Sequence, residues 1–139
     1  MQSRLRRTLG EKRWTHYICV LDFEANCGGK HVVPEIIEFP SVLLKHNGQG
    51  LEYVDQFERF CKPKHSLTRF CTKLTTIRQD QVNVAKPFEE VFTEHQTWLD
   101  SYILDSNSFT FVTCGDGDLR NMLPFQCQLL NLQVPTRLP

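Results

Sequence analysis

An α/β fold with a mixed sheet is what this 139-residue sequence predicts, on three observations. Tyr17 to Phe23 and Ile36 to Leu44 are short, continuous apolar runs of the kind found in strands covered on both faces. The second run leads through His46-Asn47-Gly48-Gln49-Gly50, an Asn-Gly turn, into the partly alternating Leu51 to Phe60, which is a hairpin signal. Pro87 then opens a helical pattern in which Phe88, Val91, Phe92, Trp98, Leu99, Tyr102 and Ile103 recur at three- and four-residue spacing. Strands followed by helix, strand and helix give a sheet flanked by helices.

Taken in order, residues 1–16 read as a basic leader and residues 17–139 as one domain. In the second strand Pro40 cannot donate to a ladder, so a bulge or a sheet edge is expected there. Ser66 to Val84 mixes polar and apolar residues and reads as helical in pieces. Glu89 and Glu90 sit at the favourable positive end of the long helix. Phe109 to Thr113 is a further strand, Gly115-Asp116-Gly117 a turn, and Leu119 to Leu130 a helical stretch punctuated by Pro124.

Composition narrows the class. Hydrophobic residues make up 40% and charged residues 23%, ordinary for a folded soluble domain. The formal net charge is zero, but five of the sixteen cations (Arg4, Arg6, Arg7, Lys12 and Arg13) fall in the first thirteen residues. A basic arm ahead of a mildly acidic body is compatible with a polyanionic ligand and equally with a solvated tail. The six cysteines have no CxxC or Cys/His spacing and several sit in apolar runs, which points to buried free thiols in a reducing compartment. The amino terminus lacks an apolar signal segment and no stretch reaches membrane-spanning length, so an intracellular protein, cytoplasmic or nuclear, with no membrane partner is expected.

The chemistry lies in "YICVLDFEANC", residues 17 to 27, where two acids end an otherwise apolar strand. Residues two apart on a strand project to one side, so Asp22 and Glu24 converge on a small volume. Neighbouring carboxylates repel, and relief comes from a proton or from a multivalent cation. Oxygen donors select a hard ion such as Mg2+ or Mn2+. The alternative is one acid satisfied by backbone N–H groups and the other by water. Asp118 favours the cation, because it follows a second strand as Asp22 follows the first. If the two strands are neighbours, three carboxylates meet at one end of the sheet, enough to hold two divalent ions for a phosphoryl displacement.

"LDFEANC" (21–27), "PEIIEFPSVLL" (34–44), "LTTIRQDQV" (74–82) and "FVTCGDGDLRNMLPFQCQLLNL" (111–132) resemble, in order and spacing, the DEDDh 3′-to-5′ exonucleases of the RNase H-like superfamily. Within it they are similar to the Eri-type exoribonuclease branch, with its prion-interactor-related members. The resemblance covers residues 17 to about 135. It implies an RNase H-like mixed sheet flanked by helices and a two-ion hydrolysis of single-stranded RNA 3′ ends. It further implies Asp22, Glu24 and Asp118 as the catalytic acids and the ligands of Mg2+ or Mn2+. Phe23 and Ala25 would hold the last nucleotide, while Ile77 and Leu119 would touch its base or sugar. Asp116 falls where the family pattern has no catalytic acid.

Three departures from the family pattern stand out. Thr76 replaces the common Gly of "LTGI", and Gly117 replaces the common Trp of "GDWDL", loosening the turn that aims Asp118. The family's final motif, a His four residues ahead of an Asp, belongs beyond Asp118, and this sequence ends at Pro139 without it. The expectation is therefore the first two-thirds of an exonuclease domain, with its C-terminal part missing, one sheet face and an edge left bare, and weak or no activity. His95 and Asp100 share a five-residue separation but precede Asp118 on a helix, where they point about 140° apart; no catalytic role is expected for them. His16, His31, His46 and His65 read as surface loop residues. The rival reading is a non-catalytic RNA- or protein-binding module, with Arg59, Lys62, Lys64, Arg69 and Lys73 as its contact surface.

Overall fold

A computed structural model describes residues 15–103 and 109–135 of the chain. Most of the expected basic leader lies outside the described residues. The elements are β1 (His16–Leu21), β2 (Glu24–Ala25), β3 (Ile36–His46), β4 (Leu51–Phe60), α1 (Arg69–Thr75), α2 (Gln79–Asn83), α3 (Phe88–Asp100), β5 (Phe109–Val112), a π-helical turn (Asp118–Met122) and α4 (Leu123–Leu129). The five strands form one mixed sheet. β3 lies at its centre, antiparallel to β1 and β2 on one side and to β4 on the other, and β5 runs parallel to β1. The parallel pair sets Tyr17 beside Phe109 and Val20 beside Val112.

Alternation along the strands gives the sheet two unlike faces. Cys19, Leu21, Phe23, Phe39, Ser41 and Leu43 are buried, while Val20 and Val42 on the opposite side are 37% and 36% exposed and Val112 is 44% exposed. The buried face packs on α3 through Phe88, Val91, Phe92, His95 and Leu99, as the three- and four-residue spacing requires. Phe39 is the hub of that core. Its ring lies 4.7 Å from Phe23, 4.3 Å from His95 and 5.9 Å from Phe57, and it stacks 6.2 Å from Phe88.

Two elements differ from expectation. Pro40 makes no bulge: β3 runs through it paired with β4, the register with β4 shifts at Leu43/Leu44 instead, and on the other side the ladder with β1 stops at Ser41. What Pro40 does is loosen β1. The Asp22 N–H reaches the Pro40 carbonyl at 3.5 Å, but proline has no N–H to return the bond, so β1 ends at Leu21. The first strand is thus two pieces, β1 and β2, and not one run to Phe23. Their register on β3 stays in step from Leu21 opposite Ser41 to Glu24 opposite Glu38, and shifts at Ala25. The second difference is the π-helical turn ahead of α4, where the Leu123 N–H reaches back to the Asp118 carbonyl. Pro124 in an ordinary helix would clash with the carbonyl four residues earlier, and the wider turn relieves it.

Several polar groups in the interior find partners. His95 shares a 2.8 Å hydrogen bond with Ser41 under the aromatic cluster, a core role rather than a catalytic one. His16 and His46 are not in loops; they open β1 and close β3, opposite each other. His65 pairs with the buried Glu35 at 2.9 Å. Cys19, Cys61, Cys71 and Cys127 are buried thiols, and burial pushes Cys19 and Cys61 up to about 12. No helix among the described residues is long and apolar enough to cross a membrane.

Asp55 links β4 to the end of α3. Its carboxylate accepts from the Tyr102 hydroxyl at 2.6 Å, from Trp98 Nε1 at 2.8 Å and from the Gln56 N–H at 2.8 Å, and these donors hold its pKa below the usual carboxylate value. A depressed carboxylate contributes stability above its unfolded pKa of about 3.9 and loses it as pH falls through the lower folded value. Asp55→Asn is therefore expected to be less stable than the parent at pH 7, with the gap in urea midpoint closing as the pH is taken below about 4.

Candidate active site

The site is built where the β1/β2 strand parts from its neighbours. β5 ends at Val112 beside Val20, so the Phe23 N–H, which points to that side, has no strand left to receive it. Asp118 supplies the acceptor. Its Oδ2 takes the Phe23 N–H at 2.8 Å, tying the start of the π-helical turn to the residue between Asp22 and Glu24. Asp22 is exposed, Glu24 half-buried and Asp118 only 7% exposed. Asp22 and Glu24 lie on the open face of the sheet, since the register on β3 is unbroken between them.

The acids feel one another's charge. Burial, then the charges of Asp22 and Asp118, push the Glu24 carboxyl above its usual pKa. Burial is also the main cause that raises Asp118, with Asp22 adding to it and the Phe23 N–H opposing it. A fourth acid joins them. Glu38, opposite Glu24 across the ladder, is raised by burial, by Glu58 and then by Glu24 and Asp22. Sequence reasoning missed Glu38, although it lies within "PEIIEF"; its place depends on a register between strands that spacing along the chain does not reveal.

Asp22, Glu24 and Asp118 are within electrostatic reach of each other, yet among the described residues no three His, Cys, Asp or Glu side chains form a group able to hold a metal ion as they stand. One oxygen of Asp118 is committed to Phe23. The donor set itself, all carboxylate oxygen, suits a hard divalent cation.

The expected nucleotide contacts divide. The Phe23 side chain points inward, edge-on to Phe39 and 3% exposed, so only its backbone faces the site. Ile77 is 4% exposed and packs with Ile37, Cys71 and Val82; Leu119 is 7% exposed among Phe23, Leu123 and Cys127. Both offer little more than an edge, because Ile77, in the link between α1 and α2, and Leu119, in the π-helical turn, anchor these segments to the core. Ala25 is half-buried and open to contact. The segment after it is tied down by Asn26, whose side chain donates to the Ser66 carbonyl at 3.0 Å and accepts from the Thr68 N–H at 3.2 Å. Gln126 fixes the opposite wall by accepting from the Ile36 N–H at 2.8 Å.

The two local departures acquire physical meaning. Thr76 caps α1 at φ 66°, in the left-handed region where a β-branched residue is strained. Thr76→Gly removes a penalty of about 1–2 kcal/mol and gives back about 0.5–1 kcal/mol of unfolded-chain entropy. A net gain of about 0.5–1 kcal/mol in urea unfolding is expected. Gly117 has ordinary helical angles with open space around its α-carbon, so glycine is not needed there; Gly115, at φ 79°, is the residue the turn requires.

The exonuclease family model matches residues 19–138. Human ERI1 exoribonuclease 3 is 44% identical over 124 residues, 86% of this chain and 36% of that protein. Among solved structures, the nuclease domain of 3′hExo, a DEDDh family member bound to rAMP, aligns with a TM-score of 0.79 at 37% identity, over 88% of this chain and 64% of that one. A 3′-exonuclease solved in 3′-end-specific recognition of a histone mRNA stem-loop aligns at 0.78 and 36% identity, over 88% and 56%. The chain thus spans about a third of the curated relative's length.

Proposed function

Because this chain belongs to the exonuclease family, in its DEDDh, Eri-type branch, we propose that Asp22, Glu24 and Asp118 form a site for Mg2+ or Mn2+ that serves 3′-to-5′ hydrolysis of single-stranded RNA ends. The observation that carries this reading is the 2.8 Å bond from the Phe23 N–H to Asp118, which seats the third acid against the segment bearing the other two. When bound, such cations activate water and stabilise the leaving oxygen of a phosphoryl displacement. The chain's own residues do the positioning. Asp118 holds the Phe23 backbone, the Phe23 ring anchors that backbone in the core, and the proline opposite Asp22 frees this stretch from the ladder. Ala25 and the exposed edges of Ile77 and Leu119 are left to border the terminal nucleotide.

The test is a Mg2+- or Mn2+-dependent assay on a 3′-hydroxyl single-stranded RNA, with Asp22→Ala as control. Trimming from the 3′ end that the substitution abolishes supports the reading. RNA association indifferent to both cation and Asp22→Ala would mark a binding module instead.

A further inference from the structure

The exposed face of α1 beside the site is unused by the acids and carries an unusual combination. Phe70 is 56% exposed and Leu74 65% exposed, although both lie on a short helix whose Cys71 is fully buried. Residues three and four apart share a helix face, so Phe70, Lys73 and Leu74 form one surface, with Arg69 at its edge. Arg69 and Lys73 are exposed and form no ion pair among the described residues, as is true of Lys30 in the neighbouring turn. Arg59, by contrast, is engaged with Glu94 at 3.6 Å and with the Phe57 ring, so it does not belong to this surface.

α1 is fastened to the site. The Cys71 thiol reaches the Ala25 carbonyl at 3.7 Å, the Thr68 hydroxyl donates to the Cys27 carbonyl, and the Asn26 amide spans Ser66 and Thr68. Gly28 makes the contact close. A Cβ there would lie 2.8 Å from that of Phe70 and 2.9 Å from Thr68 Oγ1, and its φ of +107° suits glycine alone. Only three peptide units separate Gly28 from Ala25, a span of at most about 11 Å. An aromatic platform flanked by free cations is thus held rigidly one loop away from the carboxylates.

We propose that this face is the track for the nucleotides immediately upstream of the RNA 3′ end, with one base stacking on Phe70 and phosphates meeting Arg69, Lys73 and Lys30. The inference rests on the function proposed above and adds the path of the strand. Stacking on exposed aromatics with cations along the backbone is how single strands are held without sequence preference. Charge divides the labour: the carboxylates repel the polyanion wherever no cation is bound, so affinity has to come from an adjacent positive surface.

Fluorescence anisotropy of the full chain with Mn2+ tests it, using an RNA octamer with a hydrolysis-resistant 3′-terminal linkage against the matching dinucleotide. Phe70→Ala is expected to weaken octamer binding about 5- to 150-fold and to leave dinucleotide binding unchanged, while Phe70→Trp restores it. Arg69→Gln with Lys73→Gln is expected to reduce the log–log salt slope by about 1.4. Phe70→Ala keeps the Cβ that meets Gly28, so its thermal unfolding should match the parent. Parental octamer affinity in Phe70→Ala overturns the track alone. Octamer binding that ignores Asp22→Ala counts against the catalytic reading, and a parent that binds neither RNA overturns both.

Discussion

Replacing Asp22 with alanine is expected to abolish divalent-cation binding while leaving the fold as stable as before, or more so. Asp22 is exposed and its charge is a cause of the raised pKa of Glu24, Asp118 and Glu38 alike. Carboxyls raised in the fold give up their protons less readily there than in the unfolded chain. The protein therefore loses stability as pH rises from the ordinary carboxylate values through the raised ones, and removing Asp22 softens that loss. Asp118→Ala should behave differently. It removes a ligand and also orphans the buried Phe23 N–H, at a cost of about 1–3 kcal/mol. Calorimetric titration with Mn2+ should show both variants weakened by more than the about 10- to 100-fold typical of losing a mere supporting residue. Thermal melts should then separate them, with only Asp118→Ala unfolding earlier. If both bind Mn2+ like the parent, these carboxylates are not its ligands.

Phe39→Ala is expected to be the most damaging single change in the core. The ring is 1% exposed and touches four residues from three parts of the chain: Phe23 beside the site, Phe57 on β4, and Phe88 and His95 on α3. Truncating a buried phenylalanine costs about 3–5 kcal/mol, against a total of about 5–15 for a domain of this kind. A fall in melting temperature of more than about 10 °C follows, measurable by circular dichroism. The effect should reach the site, because the Phe23 ring loses its partner and its N–H is what orients Asp118. A loss below about 1 kcal/mol would mean that the aromatic cluster is not the core's hub.

How much of this could be read from the chain alone depends on the range of the interactions. The common face of Asp22 and Glu24 follows from strand periodicity, and the register on β3 bears it out. The helix from Phe88 was legible because its apolar residues repeat every turn. Asp118 needed the parallel pairing of β1 with β5, a contact between segments about ninety residues apart, and the motif resemblance supplied what periodicity could not. Pro40 was misread because local chemistry states only that an N–H is missing. Which neighbour feels the loss is settled by the register, and it is Asp22. Glu38 was missed for the same reason. Ile77 and Leu119 are only 4% and 7% exposed, a depth of burial that an apolar residue in the sequence does not declare.

The most direct test is a Mn2+ titration of the full chain followed by paramagnetic broadening of backbone amide signals. The signals of Asp22 to Ala25 and of Asp118 and Leu119 should vanish first and together, and Asp22→Ala should abolish the effect. Broadening that reaches Asp22 and Glu24 but spares Asp118, or that begins elsewhere on the surface, would contradict a shared three-carboxylate site.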